Sequence, residues 1–159
     1  MQTYKHLSLT ALALVLSAGC ALFNKRHDSI SLRIHEQVSA ALPEARVRTA
    51  EIPRMNLTIP VNPYPTLSEK DLLSASVYET AGGTAILLRF DIHGAIALDE
   101  MTTRCRGQYL VVFLDERPVA AWLVDRRLTD GQFLLDGDFT DEEARRTVVA
   151  LNNLVHCRK

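Results

Sequence analysis

The chain has 159 residues, 47% hydrophobic and 23% charged, and its 18 basic and 19 acidic residues cancel to a net charge of −1. That composition supports a buried core and excludes a disordered tail. Without a basic excess there is no electrostatic field for nucleic acid, so no nucleic-acid partner is expected.

The chain opens on an export signal. Lys5 and the α-amino group make a positive start, Leu7 to Val15 is apolar, and Ser17, Ala18 and Gly19 lead to Cys20. These are the three parts of a secretory signal. The apolar run is shorter than the roughly 20 residues that span a bilayer. Leu16-Ser17-Ala18-Gly19 before Cys20 resembles the lipobox of bacterial lipoproteins, whose cysteine receives a diacylglyceryl thioether and usually an acylated amine. Ser17 departs from that pattern, which places a large aliphatic residue there. An ordinary signal cut after Gly19, leaving a plain thiol, is the alternative. The favoured expectation is a signal at residues 1–19, lipidation of Cys20 as the contact with the lipid bilayer, and a tether over 20–30. Residues 31–159 then form one extracytoplasmic domain of ordinary size. Ala21, rather than Asp, resembles outer-membrane sorting, so the expected address is the periplasmic side of the envelope, at the outer membrane before the inner.

With Cys20 consumed, Cys105 and Cys157 remain as an even pair in a compartment where disulfides persist, and a bridge between them is expected. Two unpaired buried thiols are one alternative. A zinc site with His156 is another, but it lacks a ligand spacing. No metal or cofactor is expected.

Along the domain, Leu32, Ile34 and Val38 alternate with Arg33, His35 and Gln37, a half-buried strand over Ser31–Val38. Arg46–Ile52 and Met55–Val61 are short extended segments separated by Pro53. Three prolines between Ile59 and Pro65 make this part an edge or surface run. Thr66 or Ser68 starts one acidic turn with Glu69 and Asp71. Ser74–Thr80 and Thr84–Asp91 form a hairpin around Gly82-Gly83. Gly94–Cys105 is a helix closed by Gly107. Gln108–Asp115, apolar on both faces, is a central strand. Pro118–Val124 and Gln132–Asp136 are strands on either side of Asp130-Gly131. Thr140-Asp141-Glu142-Glu143 is a capping box opening a helix with Ala144, Val148, Leu151 and Val155 on its apolar face. The fold class is α+β, a mixed or antiparallel sheet with two main helices on one face. If neighbouring strands alternate in direction after the first helix, both helices run the same way and Cys105 approaches Cys157.

Leu110-Val-Val-Phe-Leu-Asp115, Pro118-Val-Ala-Ala121, Leu128-Thr-Asp-Gly131 and Asp136-Gly-Asp-Phe-Thr-Asp-Glu-Glu-Ala144 resemble the head part of the first periplasmic domain of SecD, an accessory subunit of the bacterial preprotein translocase. Phe90-Asp91, Gly94, Met101-Thr102 and Gly107 resemble its strand-to-helix junction and helix end. The likeness covers about residues 84–154, and Phe139–Ala144 is its most specific part. It implies a head-like fold and an extracytoplasmic address. It does not imply a motor, because SecD's transmembrane helices have no counterpart in the sequence. Trp122 stands where the family has a proline.

No Gly-x-Ser-x-Gly, P-loop, His-Glu-x-x-His or Cys-x-x-Cys motif occurs. Asp91 and His93 have the spacing of an acid–base pair, although Asp91 also suits the cap of the helix at Gly94. Asp136 and Asp138 flank a glycine without the further ligands of a calcium loop. Tyr109, Phe113 and Trp122 are candidates for an apolar partner-binding face, with core packing as the commoner fate. Two functions follow. One is a non-catalytic, lipid-anchored module binding a polypeptide or envelope protein, linked to protein export. The other is a small periplasmic hydrolase using Asp91 and His93.

Overall fold

The computed structural model describes residues 30–38, 47–137 and 139–158; the expected export signal and most of the expected tether, with Cys20, residues 39–46, Asp138 and Lys159, lie outside them. Nine strands and two helices follow one another: β1 (Leu32–Glu36), β2 (Arg48–Ile52), β3 (Leu57–Val61), β4 (Leu67–Ser68), β5 (Leu72–Thr80), β6 (Gly83–Phe90), α1 (Ile92–Arg104), β7 (Tyr109–Leu114), β8 (Arg117–Leu123), β9 (Gln132–Leu135) and α2 (Asp141–His156). All strand pairs are antiparallel. The α+β class and the two-helix layer are as the sequence implies.

The strands form three sheets, ordered β4-β1-β7-β8, β2-β3 and β5-β6-β9. β7 is interior, and its alternation explains its apolar run. Leu110, Val112 and Leu114 enter the main core, while Val111 and Phe113 enter a second cluster. That second cluster is closed by Ala50, Ile52, Ile59 and Val61 of the β2–β3 hairpin. The sheet therefore covers its second face with the hairpin that the proline-rich segment makes. A 3-10 turn over Pro53–Met55 reverses the chain, and Asn56 completes it at φ 48, in the left-handed region that asparagine tolerates.

Both helices feed the main core, α1 through Leu98 and Met101 and α2 through Ala144, Leu151 and Val155. Asp91 caps α1, accepting a hydrogen bond from the Gly94 amide at 2.9 Å. Gly94 is required there because a Cβ would stand 2.9 Å from the Asp71 carbonyl oxygen. Thr140 and Glu143 cap α2 reciprocally. At the other end of that helix the Asn152 side chain accepts from the Ala75 amide and donates to the Ala75 carbonyl, both at 2.9 Å. One amide side chain thus serves β5 as a strand neighbour would.

The helices do not end together. β9 pairs with β6 rather than continuing beyond β8, so the chain enters α2 from a different direction from the one expected. The tail of α2 reaches the turn at 69–71, where Arg158 donates to the carbonyls of Lys70, at 2.5 Å, and Glu69. α1 starts from that same turn, with the Asp91 amide bonded to the Asp71 carbonyl at 2.9 Å.

Candidate functional site

The residues singled out from sequence do not converge. Asp91 spends its carboxylate on the α1 cap and His93 is exposed beside it, so no acid–base pair is assembled. Asp136 forms an ion pair with Arg54 at 3.8 Å. Among the described residues no group of three or more His, Cys, Asp or Glu side chains is placed to hold a metal ion. Cys20 lies outside the described residues.

The expected Cys105–Cys157 bridge is not formed; among the described residues both thiols are free. The reason is the helix arrangement. Cys157 ends α2 beside the turn that starts α1, whereas Cys105 follows the far end of α1, and thirteen helical residues span about 20 Å. Cys105 instead points at Glu36, donating from Sγ to Oε2 at 3.3 Å. Glu36 also accepts from Arg104 at 2.5 Å and from the Thr66 hydroxyl at 2.8 Å. Burial works against the Glu36 anion, but these three donors hold its carboxyl below the ordinary range. Burial and the Glu36 charge push the Cys105 thiol up to about 11. A thiol held protonated in this way is a poor nucleophile.

The three aromatic candidates lie on two faces. Phe113 and Tyr109 belong to the hairpin-covered side; Phe113 is buried, lies edge-on to His35 with ring centroids 4.9 Å apart, and carries the Arg48 guanidinium 4.4 Å above its ring. Trp122 pairs with Leu110 and so faces the main core side, edge-on to Phe133 at 5.7 Å between centroids. Of the three, Trp122 alone lines an open depression on that side.

Two depressions share Trp122 as a lining residue. The first is a groove of about 430 Å³ on the outer face of the β5-β6-β9 sheet, between that face and the segment linking β8 to β9. Tyr78, Leu87, Trp122, Leu128 and Leu134 give it apolar walls, and Arg126, Arg127 and Asp130 edge it. Tyr78 is 50% exposed and Leu134 39%. Arg127 is paired with Asp99, while Arg126 has no ion pair among the described residues. The second is a cleft of about 230 Å³ between β8 and β9, lined by Val112, Ala120, Trp122, Phe133 and Leu135, with Met55 and Arg54 at its mouth. Both share Trp122, Phe133 and Leu134. Leu87 and Leu134 are cross-strand partners on the solvent face. Sequence reasoning missed Tyr78, Leu87 and Leu134. The signal was present in β6, where Ala85 and Leu87 interleave with Ile86 and Leu88, so both faces are apolar.

The family description "SecDF, P1 head subdomain" matches residues 44–153, more than half of the chain. The chain belongs to the SecDF P1 head family. Three solved structures share its fold. The first, described as the structure and function of a membrane component SecDF that enhances protein export, aligns with a TM-score of 0.59 at 22% identity over 77% of this chain and 62% of that one. SecDF in a super-membrane-facing form aligns with a TM-score of 0.61 at 24% identity, over 77% of this chain and 18% of that one. SecDF from Thermus thermophilus, described as a translocon-associated membrane protein, gives 0.50 at 21% identity, over 92% and 21%. The chain therefore spans under two thirds of the first SecDF chain and about a fifth of the other two. No match is found among the curated proteins. Among the described residues no helix is long and apolar enough to cross a membrane.

Proposed function

We propose that this SecDF P1 head relative is a non-catalytic module that binds a polypeptide in the cell envelope, in the service of protein export. The observation that carries this reading is the open apolar depression on the head. Tyr78, Leu87, Trp122 and Leu134 line it. Family membership supplies the context, since one SecDF relative is described as enhancing protein export. Lipid on Cys20 holds the module at the membrane surface on the periplasmic side, with the outer membrane favoured by Ala21. Stable anchoring fits a cysteine carrying several acyl chains, because one chain alone gives marginal, reversible attachment.

A photo-crosslinking residue at Leu134 of the full precursor, expressed in its host envelope, tests the binding role. Adducts with exported polypeptides are expected from Leu134 and not from Val149, which is exposed on α2. Adducts from Val149 with none from Leu134 would overturn the reading. Labelling with a fatty acid tests the anchor separately: wild type is marked, and Cys20→Ala is both unlabelled and released from membranes.

A further inference from the structure

β8 and β9 are both terminal strands. β8 ends one sheet and β9 ends another, and neither carries a second ladder among the described residues. Residues of both strands line the cleft of about 230 Å³, and the Trp122–Phe133 ring contact joins them across it, with no backbone ladder between them. The ladder phase shows which groups face the gap. The Val124 amide donates to the Gln108 carbonyl and the Phe90 amide to the Gly131 carbonyl, each at 2.9 Å. With the registers of β7–β8 and β6–β9, alternation directs the backbone of Trp122, Ala120, Phe133 and Leu135 to their ladder partners. It turns the backbone of Ala121, Leu123 and Leu134 outward.

Exposed edges are normally blunted by charge or proline. Pro118 guards only the start of β8. Val119–Leu123 and Gln132–Leu135, the stretches flanking the cleft, carry no charged residue and no proline. An occupant that paired with both unguarded edges beside this apolar cleft would need donors and acceptors along both sides, at two-residue spacing. An extended polypeptide supplies that; an α-helix has its backbone groups already paired and does not.

We propose that the β8–β9 seam takes an extended polypeptide segment as an added strand, its alternate apolar side chains resting on Ala120, Trp122 and Phe133. The added strand joins the two sheets into one, and main-chain pairing makes recognition tolerant of sequence so long as apolar residues alternate. This rests on the polypeptide-binding reading and specifies its mode.

The test uses the full lipidated protein in detergent micelles with a synthetic nine-residue peptide alternating valine and threonine, and the same peptide N-methylated at every second residue. Binding of the parent peptide is expected, with slowed hydrogen exchange at the Ala121, Leu123 and Leu134 amides. The N-methylated peptide is expected to bind at least tenfold more weakly. Leu134→Pro removes an outward amide and weakens the parent peptide similarly. Ala121→Pro does the same on the opposite edge, should Leu134→Pro fail to fold. Equal binding of both peptides, or parent binding without protection of these amides, overturns strand addition while leaving crosslinking at Leu134 intact. Protection that grows with protein concentration in the absence of peptide makes a second copy the occupant and also overturns it. Strand addition in vitro with no crosslinks in cells would leave the seam standing and remove the export reading.

Discussion

Asn152 tests how the two layers of the domain are joined. Its side chain makes both hydrogen bonds that a neighbouring strand would make to Ala75, each at 2.9 Å, and it docks α2 on β5. Ala75 is 5% exposed, so Asn152→Ala leaves a buried amide and a buried carbonyl unpaired. Each orphaned group costs ~1–3 kcal/mol. β5 is an edge strand and the Asn152 site is only part-buried, so water recovers some of this, and the expected loss is ~2–3 kcal/mol in total. That is a large share of the ~5–15 kcal/mol of a typical domain. Asn152→Asp should be at least as damaging at neutral pH, because a carboxylate repels the Ala75 carbonyl that the amide serves. It should regain part of the loss in acid, where the protonated carboxyl can donate again. Urea unfolding at pH 7.5 and pH 4, followed by circular dichroism, measures both variants. If Asn152→Ala shifted stability by less than about 0.5 kcal/mol, the level of an ordinary surface substitution, the side chain would not act as the missing strand neighbour.

Two further outcomes follow from buried groups. His35 is fully buried, donates from Nδ1 to the Asn62 carbonyl at 2.7 Å, and has no partner for Nε2 among the described residues. Burial lowers its pKa from 6.5, and Arg48 and Arg33 add to this against the Asn62 bond and Glu116. The unfolded chain therefore takes up this proton first, so stability is kept above pH 6.5 and falls as pH drops below it, levelling only beneath the folded pKa. Urea midpoints of wild type should decline across that window, and His35→Gln should remove this component of the decline. For the thiols, native protein carrying Cys20→Ala should react with a thiol reagent rapidly at exposed Cys157 and slowly at Cys105, whose thiol is held up to about 11. An intact mass two hydrogens below the reduced form would contradict the separation of the helix ends.

Local patterns carried most of the fold. Asp91 and Thr140 cap where they were expected to, and Ser68, one of the two expected starts with Thr66, caps the acidic turn, because caps are decided within four residues. The Gly82-Gly83 reversal and the doubly apolar β7 were legible for the same reason. What local sequence does not encode is which strand β9 joins. Pairing it with β6 rather than β8 separated Cys105 from Cys157 and opened the seam. The face of each aromatic residue was equally hidden: Phe113 and Trp122 sit on opposite sides of one sheet, because the β7–β8 register sets Trp122 opposite Leu110 and alternation along β7 puts Phe113 on the other face. Asn152 gave no sign of its role, since an asparagine late in a helix ordinarily faces water.

A bulge in the β7–β8 ladder bears on why the seam stays open. β8 carries an extra residue where Val112 pairs with Ala120 and Phe113 with Pro118, and a bulge sharpens the twist of the strand that holds it. The β2–β3 hairpin packs over the sheet that holds β8, and Arg54 reaches from the hairpin turn to Asp136 just past β9. The Trp122 ring then stands perpendicular to Phe133, filling the floor of the gap with side chains while the backbones above remain apart. Pairing β8 directly with β9 would also have to accommodate the Trp122–Phe133 contact that occupies the floor between them. The proposed added strand pairs both backbones while leaving the Trp122–Phe133 contact in place, so the unpaired edges of β8 and β9 stay available to a third chain.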